Sequence, residues 1–189
     1  MTGTAKLEQG ATLTPSKVDL LRGWLAAQPW FEGDPADVER IATFRFVDPE
    51  GEVGIETLLL RSAGVTYQVP VTYRSEELPE AQAGFVGNLE HSVLGTRWVY
   101  DAVADPVYVS ELLRVIHEGD TEADLSHGEK SATAQGSGIV RVSNAAAEAA
   151  RLVRVLDGNH LPKGTPLGTL TATWREGDAE RTEILAVVR

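Results

Sequence analysis

The sequence predicts an α+β fold, in which two or three helices pack against a curved and mainly antiparallel β-sheet. Segments with the alternating or apolar character of strands follow one another closely, and there are about eight of them. Most are joined by short turns, which make neighbouring strands antiparallel because a parallel pair needs a crossover of a dozen residues or more. Two further segments have helical periodicity and supply the helices.

Both helices are predicted from a capping residue that precedes a proline. Thr14 can cap the first helix, because the next residue is a proline at the first helical position, where its missing N–H costs nothing. Asp105 stands in the same place before a second proline. Apolar residues then recur at i, i+3, i+4 and i+7, which predicts a helix over 106–117.

The predicted strands lie on either side of this second helix, and their ranges are 41–47, 53–61, 65–73, 85–91, 96–100, 139–142, 167–174 and 180–188. Two pairs of them read as hairpins, through turns at 63–64 and 176–178. Pro70 has no backbone N–H to donate to a neighbouring strand, which predicts that its strand lies at a sheet edge or contains a bulge. Residues 144–156 are compatible with either a helix or a strand.

The length of 189 residues argues for one domain over 14–189, after a frayed N-terminus at 1–13. Residues 118–138 lose all periodicity and are rich in glycine and acidic residues, which indicates a mobile acidic loop. Residues 139–189 form a β-rich part of the same domain.

Composition and charge exclude several functional classes. The chain has no cysteine, which excludes a disulfide scaffold, a thiolate zinc site, an iron–sulfur cluster and a cysteine nucleophile. The net charge of −11 repels nucleic acid and anionic membranes, and the basic residues are scattered. No apolar run approaches a membrane span, and the first residues lack the apolar core of a signal peptide. We therefore expect a cytoplasmic protein that binds neither nucleic acid nor membrane.

Motifs for nucleotide, nucleophile or metal chemistry are absent from the sequence, so we predict no catalytic residue, no cofactor and no metal site. It contains no phosphate-binding loop, no GxSxG elbow and no HxH or HExxH spacing. One acidic run matches the ligand positions of a calcium loop, and its members are Glu118, Asp120, Glu122, Asp124, Ser126 and Glu129. Ala123 occupies the position at which a calcium loop requires glycine for its sharp turn, which favours a solvated acidic loop over a calcium site.

The segment 88–108 is the densest in polar and aromatic residues, and its candidate binding residues are Glu90, His91, Arg97, Trp98, Tyr100, Asp101 and Tyr108. In a structural interpretation, Trp98 and Tyr100 share a strand face and pack on the following helix. Arg97 would then pair with Glu90 or Asp101. In a functional interpretation the same residues line a polar pocket, and both interpretations remain open.

The same segment, GNLEHSVLGTRWVYDAVADPVYVSELL, resembles the maltokinase N-terminal cap domain family. Three shorter pieces resemble it too, namely Trp24-Leu25 with Gln28-Pro29-Trp30-Phe31, the hairpin ending YQVPVTYR at 67–74, and Asp105-Pro106-Val107-Tyr108. The resemblance covers roughly residues 16–117, so that 14–117 forms the cap-like part of the domain.

The resemblance implies a curved, somewhat cystatin-like antiparallel sheet with helices and without catalytic residues. In that family the cap precedes the lobes of a sugar kinase, in actinobacterial maltokinases and related glucosamine kinases. Here 72 residues follow His117, too few for both lobes, so we expect a free-standing cap-like protein that is not an enzyme.

Three functions follow as hypotheses. The first is a non-catalytic accessory protein of sugar phosphorylation or of α-glucan and trehalose metabolism, which contacts a sugar-kinase-like protein or itself. The second is a small-ligand module that binds a sugar or sugar phosphate near 88–108. The third is an enzyme with Glu90, His91 and Asp101 as acid–base groups, which nothing in the sequence equips with a nucleophile.

Overall fold

The computed structural model describes residues 3–139, 149–161 and 163–189. Its α-helices are α1 (Lys17–Leu25) and α2 (Pro106–Glu118). Its strands are β1 (Thr4–Ala5), β2 (Leu13–Thr14), β3 (Glu39–Val47), β4 (Gly54–Ser62), β5 (Val65–Arg74), β6 (Phe85–His91), β7 (Gly95–Asp101), β8 (Asp124–Leu125), β9 (Ala132–Gly136), β10 (Ala150–Leu152), β11 (Gly168–Glu176) and β12 (Ala179–Val188). Short 3₁₀ helices cover Pro35–Asp37, Pro79–Gly84 and Ala102–Ala104.

The strands form two main antiparallel sheets, which confirms the α+β class with a mainly antiparallel architecture. In the described part of the chain, the larger sheet has the order β2-β6-β7-β5-β4-β3 and the smaller sheet the order β10-β12-β11-β9. The predicted hairpins are β4–β5 and β11–β12. The predicted strand 139–142 lies almost wholly outside the described residues, as does the beginning of 144–156. The end of that ambiguous segment contains β10.

The layers are held together by apolar contacts on both faces of the larger sheet. On one face, Leu21 and Leu25 of α1 pack with Leu58, Val69 and other apolar side chains of the sheet. On the other face, α2 and the smaller sheet share one apolar cluster with the larger sheet, and its members include Phe44, Ile55, Leu112, Leu170 and Leu185. The molecule therefore stacks α1, the larger sheet, and a layer made of α2 and the smaller sheet.

A side-chain oxygen caps the N-terminus of each helix, and one of the two capping residues differs from the prediction. Asp105 caps α2 as predicted, since its Oδ1 accepts the N–H of Val107 at 3.0 Å. Arg74 donates two hydrogen bonds to the same carboxylate, of 2.7 and 2.8 Å. The prediction for α1 is wrong, because its N-cap is Ser16, whose Oγ accepts the N–H of Asp19 at 3.1 Å. Thr14 instead ends β2.

Pro70 lies in an interior strand, which differs from the predicted edge or bulge. Its partner in β4 is Thr57, and β7 begins to pair with β5 only at Val71. The N–H of Gln68 points away from β4 and donates to the carbonyl of Arg154 at 2.9 Å. The nitrogen of Pro70, two residues later in the strand, points to the same side as the N–H of Gln68. At this position β5 pairs with neither Arg154 nor β7, so the missing N–H of Pro70 costs no backbone hydrogen bond between strands.

Two segments predicted to be unstructured contain strands. The frayed N-terminus predicted at 1–13 is not borne out for its described residues, because β1 pairs in parallel with β8. The predicted mobile loop at 118–138 contains β8 and also β9, which pairs with β11. Neither segment has enough regular apolar residues to be recognised as a strand, because both are fixed by partners far away in the sequence.

Candidate functional site

The seven candidate residues of segment 88–108 do not form one pocket, because the structure distributes them over three environments. Alternation along β7 is the main reason, since successive side chains point to opposite faces of the sheet. Arg97 and Asp101 lie on one face, and Trp98 and Tyr100 on the other. Tyr108 lies in α2, beyond the end of the strand.

Glu90, His91 and Arg97 lie at the tip of the β6–β7 hairpin, where each stabilises the turn. The carboxylate of Glu90 accepts the hydroxyl of Thr96 at 2.7 Å. His91 Nδ1 accepts the backbone N–H groups of Val93 and Leu94, at 3.2 and 3.1 Å. Arg97 donates to the carbonyl of Leu94.

Trp98 and Tyr100 share a face, as predicted, but they pack mainly against the 3₁₀ segments rather than α2. Their apolar cluster contains Leu78, Ala81, Phe85 and Ala104. The buried hydroxyl of Tyr100 accepts the backbone N–H of Leu78 at 2.7 Å, which satisfies its polar atom. Tyr100 therefore belongs to the core, and the partly buried Trp98 packs against it.

Asp101 and Tyr108 lie beside Arg154, a residue that sequence reasoning missed. Arg154 Nη2 lies 2.8 and 2.6 Å from the two carboxylate oxygens of Asp101. The predicted pairing of Arg97 with Asp101 or Glu90 is therefore wrong. Burial raises the pKa of the Tyr108 phenol well above its ordinary value, so the phenol stays protonated at neutral pH.

The described residues form a cleft of about 710 Å³, here called the N-terminal cleft. It is lined by residues of the segment 4–13, by the turn between β3 and β4, and by one end of the larger sheet. Of the seven candidates, only His91 and Arg97 line it. The volume lies within the range of roughly 300–1,000 Å³ that small-molecule sites occupy.

Sheet register explains which side chains form the floor of the cleft. Arg45 lies opposite Glu56, and Gly54 lies opposite Tyr73, so these side chains share one face of the larger sheet. The same face continues through β7 and β6, where Arg97 lies opposite Leu89. Helix α1 covers the middle of this face and leaves this end open.

Glu56 is the centre of a buried ionic network beneath the cleft. Its Oε2 lies 2.5 Å from Lys17 Nζ, 3.1 Å from Arg45 Nη2 and 2.8 Å from the donating hydroxyl of Tyr73. Its Oε1 accepts the hydroxyl of Thr43 at 3.1 Å. The Glu56 side chain is 2% exposed, whereas Lys17 and Arg45 are 18% and 15% exposed and reach the cleft.

The network sets the protonation of its members. Burial raises the pKa of Glu56, but the charges of Arg45 and Lys17 and the hydrogen bonds from Lys17 and Tyr73 outweigh burial and lower that pKa to about 2. Burial lowers the pKa of Lys17, and the Glu56 carboxylate offsets part of this effect. Burial and the same carboxylate raise the pKa of the Tyr73 phenol. The carboxylate is therefore ionised and the phenol neutral at pH 7.

The N-terminal segment forms one wall of the cleft and is fixed near both of its ends. The N–H of Leu7 donates to Ser126 Oγ at 2.8 Å, next to the β1–β8 pair. Thr12 exchanges hydrogen bonds with Ser92 at the β6–β7 tip, of 2.9 and 3.0 Å. Residues 8–11 lie between these two attachments.

Four carboxylates of the acidic run that resembles a calcium loop pair with two basic side chains. Arg114 pairs with Glu118 at 2.8 Å and with Asp120 at 2.7 Å, and Lys130 pairs with Glu122 and Asp124 at 2.9 and 2.8 Å. Within residues 3–139, 149–161 and 163–189, no group of histidine and acidic side chains is arranged to hold a metal ion.

One segment of the chain matches a family model in the comparison with known proteins. Residues 24–105 match the family model of the maltokinase N-terminal cap domain, which confirms the resemblance carried by the segments around Trp24 and 88–105. The chain matches none of the curated proteins. In the part of the chain that the structure describes, no helix has the length and apolar character needed to cross a membrane.

Proposed function

Because residues 24–105 match the maltokinase N-terminal cap domain, we propose that the protein is a cap-like module without catalytic residues, which binds a sugar-kinase-like protein. Sugar phosphorylation, or α-glucan and trehalose metabolism, in an actinobacterial cytoplasm is the setting that this proposal implies. The observation that carries it is the family match over 24–105.

The tip of the β6–β7 hairpin, within the matched segment, supplies a surface suited to such a partner. Val93 and Leu94 are 58% and 47% exposed, an unusual fraction for adjacent large apolar residues. The turn is held by His91 and Arg97, which bond its backbone. A rigid apolar tip loses little conformational entropy when it enters a partner's groove.

The contacts of the polar residues in the matched segment also favour a non-catalytic role. The Nδ1 of His91 is occupied by two backbone donors, and the carboxylate of Asp101 is occupied by Arg154. An acid–base catalyst needs a titratable group within reach of a substrate proton, and the Asp101 carboxylate is instead paired with a guanidinium.

The test uses the full chain and a purified maltokinase-type sugar kinase. Isothermal titration should give a saturable complex, and the chain alone should transfer no phosphate from ATP to maltose. Self-association is the competing form of partnership, and sedimentation of the chain alone measures it. Phosphate transfer by the chain alone would refute the non-catalytic role, and lack of binding to the kinase would refute the partner.

The second candidate function is a small-ligand module, and the N-terminal cleft favours it. The cleft combines an apolar part of the sheet with Lys17, Arg45 and Arg97, the mixture that ligand sites use for affinity and orientation. It lies beside the hairpin tip, so both functions are compatible in one molecule. Ligand-induced changes in the amide spectrum of cleft residues test this candidate independently of any kinase.

A further inference from the structure

We infer that the N-terminal cleft binds an organic anion, whose phosphate or carboxylate group lies among Lys17, Arg45 and Arg97. This inference rests on the second candidate function and names its ligand class. It also moves the site away from the polar pocket predicted within 88–108, since only two of those seven residues line the cleft.

The floor of the cleft carries more positive than negative charge. Glu56 is the buried carboxylate of the network, and it faces two cations, Lys17 and Arg45. The carboxylate therefore neutralises one of these charges and leaves the other. Arg45 uses one nitrogen, Nη2, for Glu56, and a guanidinium has five N–H donors, so donors remain for a ligand on the cleft side.

Arg97 adds an incompletely bonded donor on the same sheet face. It lines the cleft, and its guanidinium bonds the carbonyl of Leu94. Its Nε is buried and has no hydrogen-bond partner among the described residues. A buried donor without an acceptor is destabilising, and an anionic oxygen that accepts from this nitrogen would remove the penalty.

The acidic residues around the cleft do not cancel this positive floor. Asp48 directs its carboxylate at three backbone N–H groups of its own turn, those of Glu50, Glu52 and Val53. The side chains of Glu8 and Glu52 are exposed at the rim, where water and salt screen their charge. The floor of the cleft is therefore positively charged, whereas the whole chain has a net charge of −11.

The apolar lining indicates an organic ligand rather than a bare ion. Leu13 and Leu89 line the cleft beside the cations. A volume of about 710 Å³ is much larger than a phosphate ion and suits a ligand of monosaccharide or disaccharide size. The charged group would lie on the cations and the remainder against the leucines.

The experiment compares probes that differ in charge. Amide correlation spectra of the ¹⁵N-labelled chain are recorded at low ionic strength during titration with glucose 6-phosphate, gluconate, glucose and inorganic phosphate. We expect the two organic anions to shift amides of β3, β5 and β6 around the cleft, with glucose and inorganic phosphate at least about tenfold weaker. A charge-assisted hydrogen bond is worth roughly one such factor.

Charge variants locate the site. Arg97→Gln and Arg45→Gln should each weaken binding of glucose 6-phosphate by about tenfold or more. The control variant Arg175→Gln changes an exposed side chain of β11, outside the cleft lining, and should leave binding unchanged. Arg97 has no contact with Glu56, so its variant tests the site even where Arg45→Gln lowers stability. Glu56→Gln should strengthen binding, because it removes the repelling carboxylate.

The possible outcomes distinguish a failure of the anion inference from a failure of the proposed ligand-binding function. Equal binding of glucose and glucose 6-phosphate in the cleft would overturn the anion inference and keep the ligand-binding function. Tight binding of inorganic phosphate alone would overturn the organic part. Lack of any response at the cleft residues would overturn both.

Discussion

Arg154 Nη2 contacts both carboxylate oxygens of Asp101, at 2.8 and 2.6 Å, across 53 residues of sequence. The guanidinium also lies 5.0 Å from the centre of the Trp30 ring, and the backbone carbonyl of Arg154 accepts the N–H of Gln68. Trp30, Gln68 and Asp101 all belong to the family-matched segment, whereas Arg154 follows it. Arg154 therefore joins the C-terminal part to the family-matched segment through three kinds of contact, in addition to the apolar cluster that the two parts share.

Removing Arg154 alone should be more harmful than removing the pair. Arg154→Met leaves the mostly buried Asp101 without its counterion and should lower the free energy of unfolding by about 3 kcal/mol. Asp101→Leu combined with Arg154→Met removes both charges and should recover a large part of that loss. Urea unfolding of the wild type, both single variants and the double variant measures the coupling. Additive losses in the double variant would show that the two residues do not interact.

Glu56 should make the protein sensitive to acid. The pKa of Glu56 in the folded state is about 2, below the ordinary 4.5, so the folded state binds fewer protons than the unfolded state between these values. The stabilisation that Glu56 contributes to the folded state is therefore fully present above pH 4.5. That contribution, roughly 3 kcal/mol at most, is lost as pH falls from about 4.5 toward 2. Thermal unfolding between pH 6 and 3 should show a steeper decline for the wild type than for Glu56→Gln. Parallel curves for the two proteins would contradict this role.

Two glycines should respond oppositely to the same substitution. A Cβ on Gly136 would lie 1.9 Å from the carbonyl oxygen of Val115, where β9 packs on α2. Gly136→Ala should therefore lower the free energy of unfolding by about 2 kcal/mol. Gly23 lies inside α1 with nothing within 4 Å of its Cβ position, and Gly23→Ala should raise that free energy by about 0.5–1 kcal/mol. Denaturant melts of the two variants provide the comparison, and similar midpoints would contradict the packing described here.

Local signals in the sequence predicted the elements well. Asp105 before a proline identified the start of α2, and alternation placed most strands within one or two residues of their observed ends. The cap of α1 was misplaced because Thr14 and Ser16 flank the same proline and both can cap a helix, so composition alone does not distinguish them.

The site was harder to predict because its parts come from separate elements. Lys17, Arg45, Glu56 and Tyr73 lie on one helix and three strands, and register alone brings them together. One signal was available, since Glu56 is a charged residue in a strand rich in apolar side chains, where a buried charge requires a partner. Arg154 had no comparable signal, because it lies in a segment compatible with helix or strand.

The central claim, that the protein is a cap-like module that binds a sugar kinase through its β6–β7 tip, is tested most directly by one affinity comparison. Leu94 and Leu167 are 47% and 48% exposed, and only Leu94 belongs to the tip. Titration of each variant into a purified maltokinase-type kinase should show Leu94→Asp binding at least about tenfold more weakly than the wild type, and Leu167→Asp binding like the wild type. Equal affinities for all three proteins, or binding by none of them, would contradict the claim.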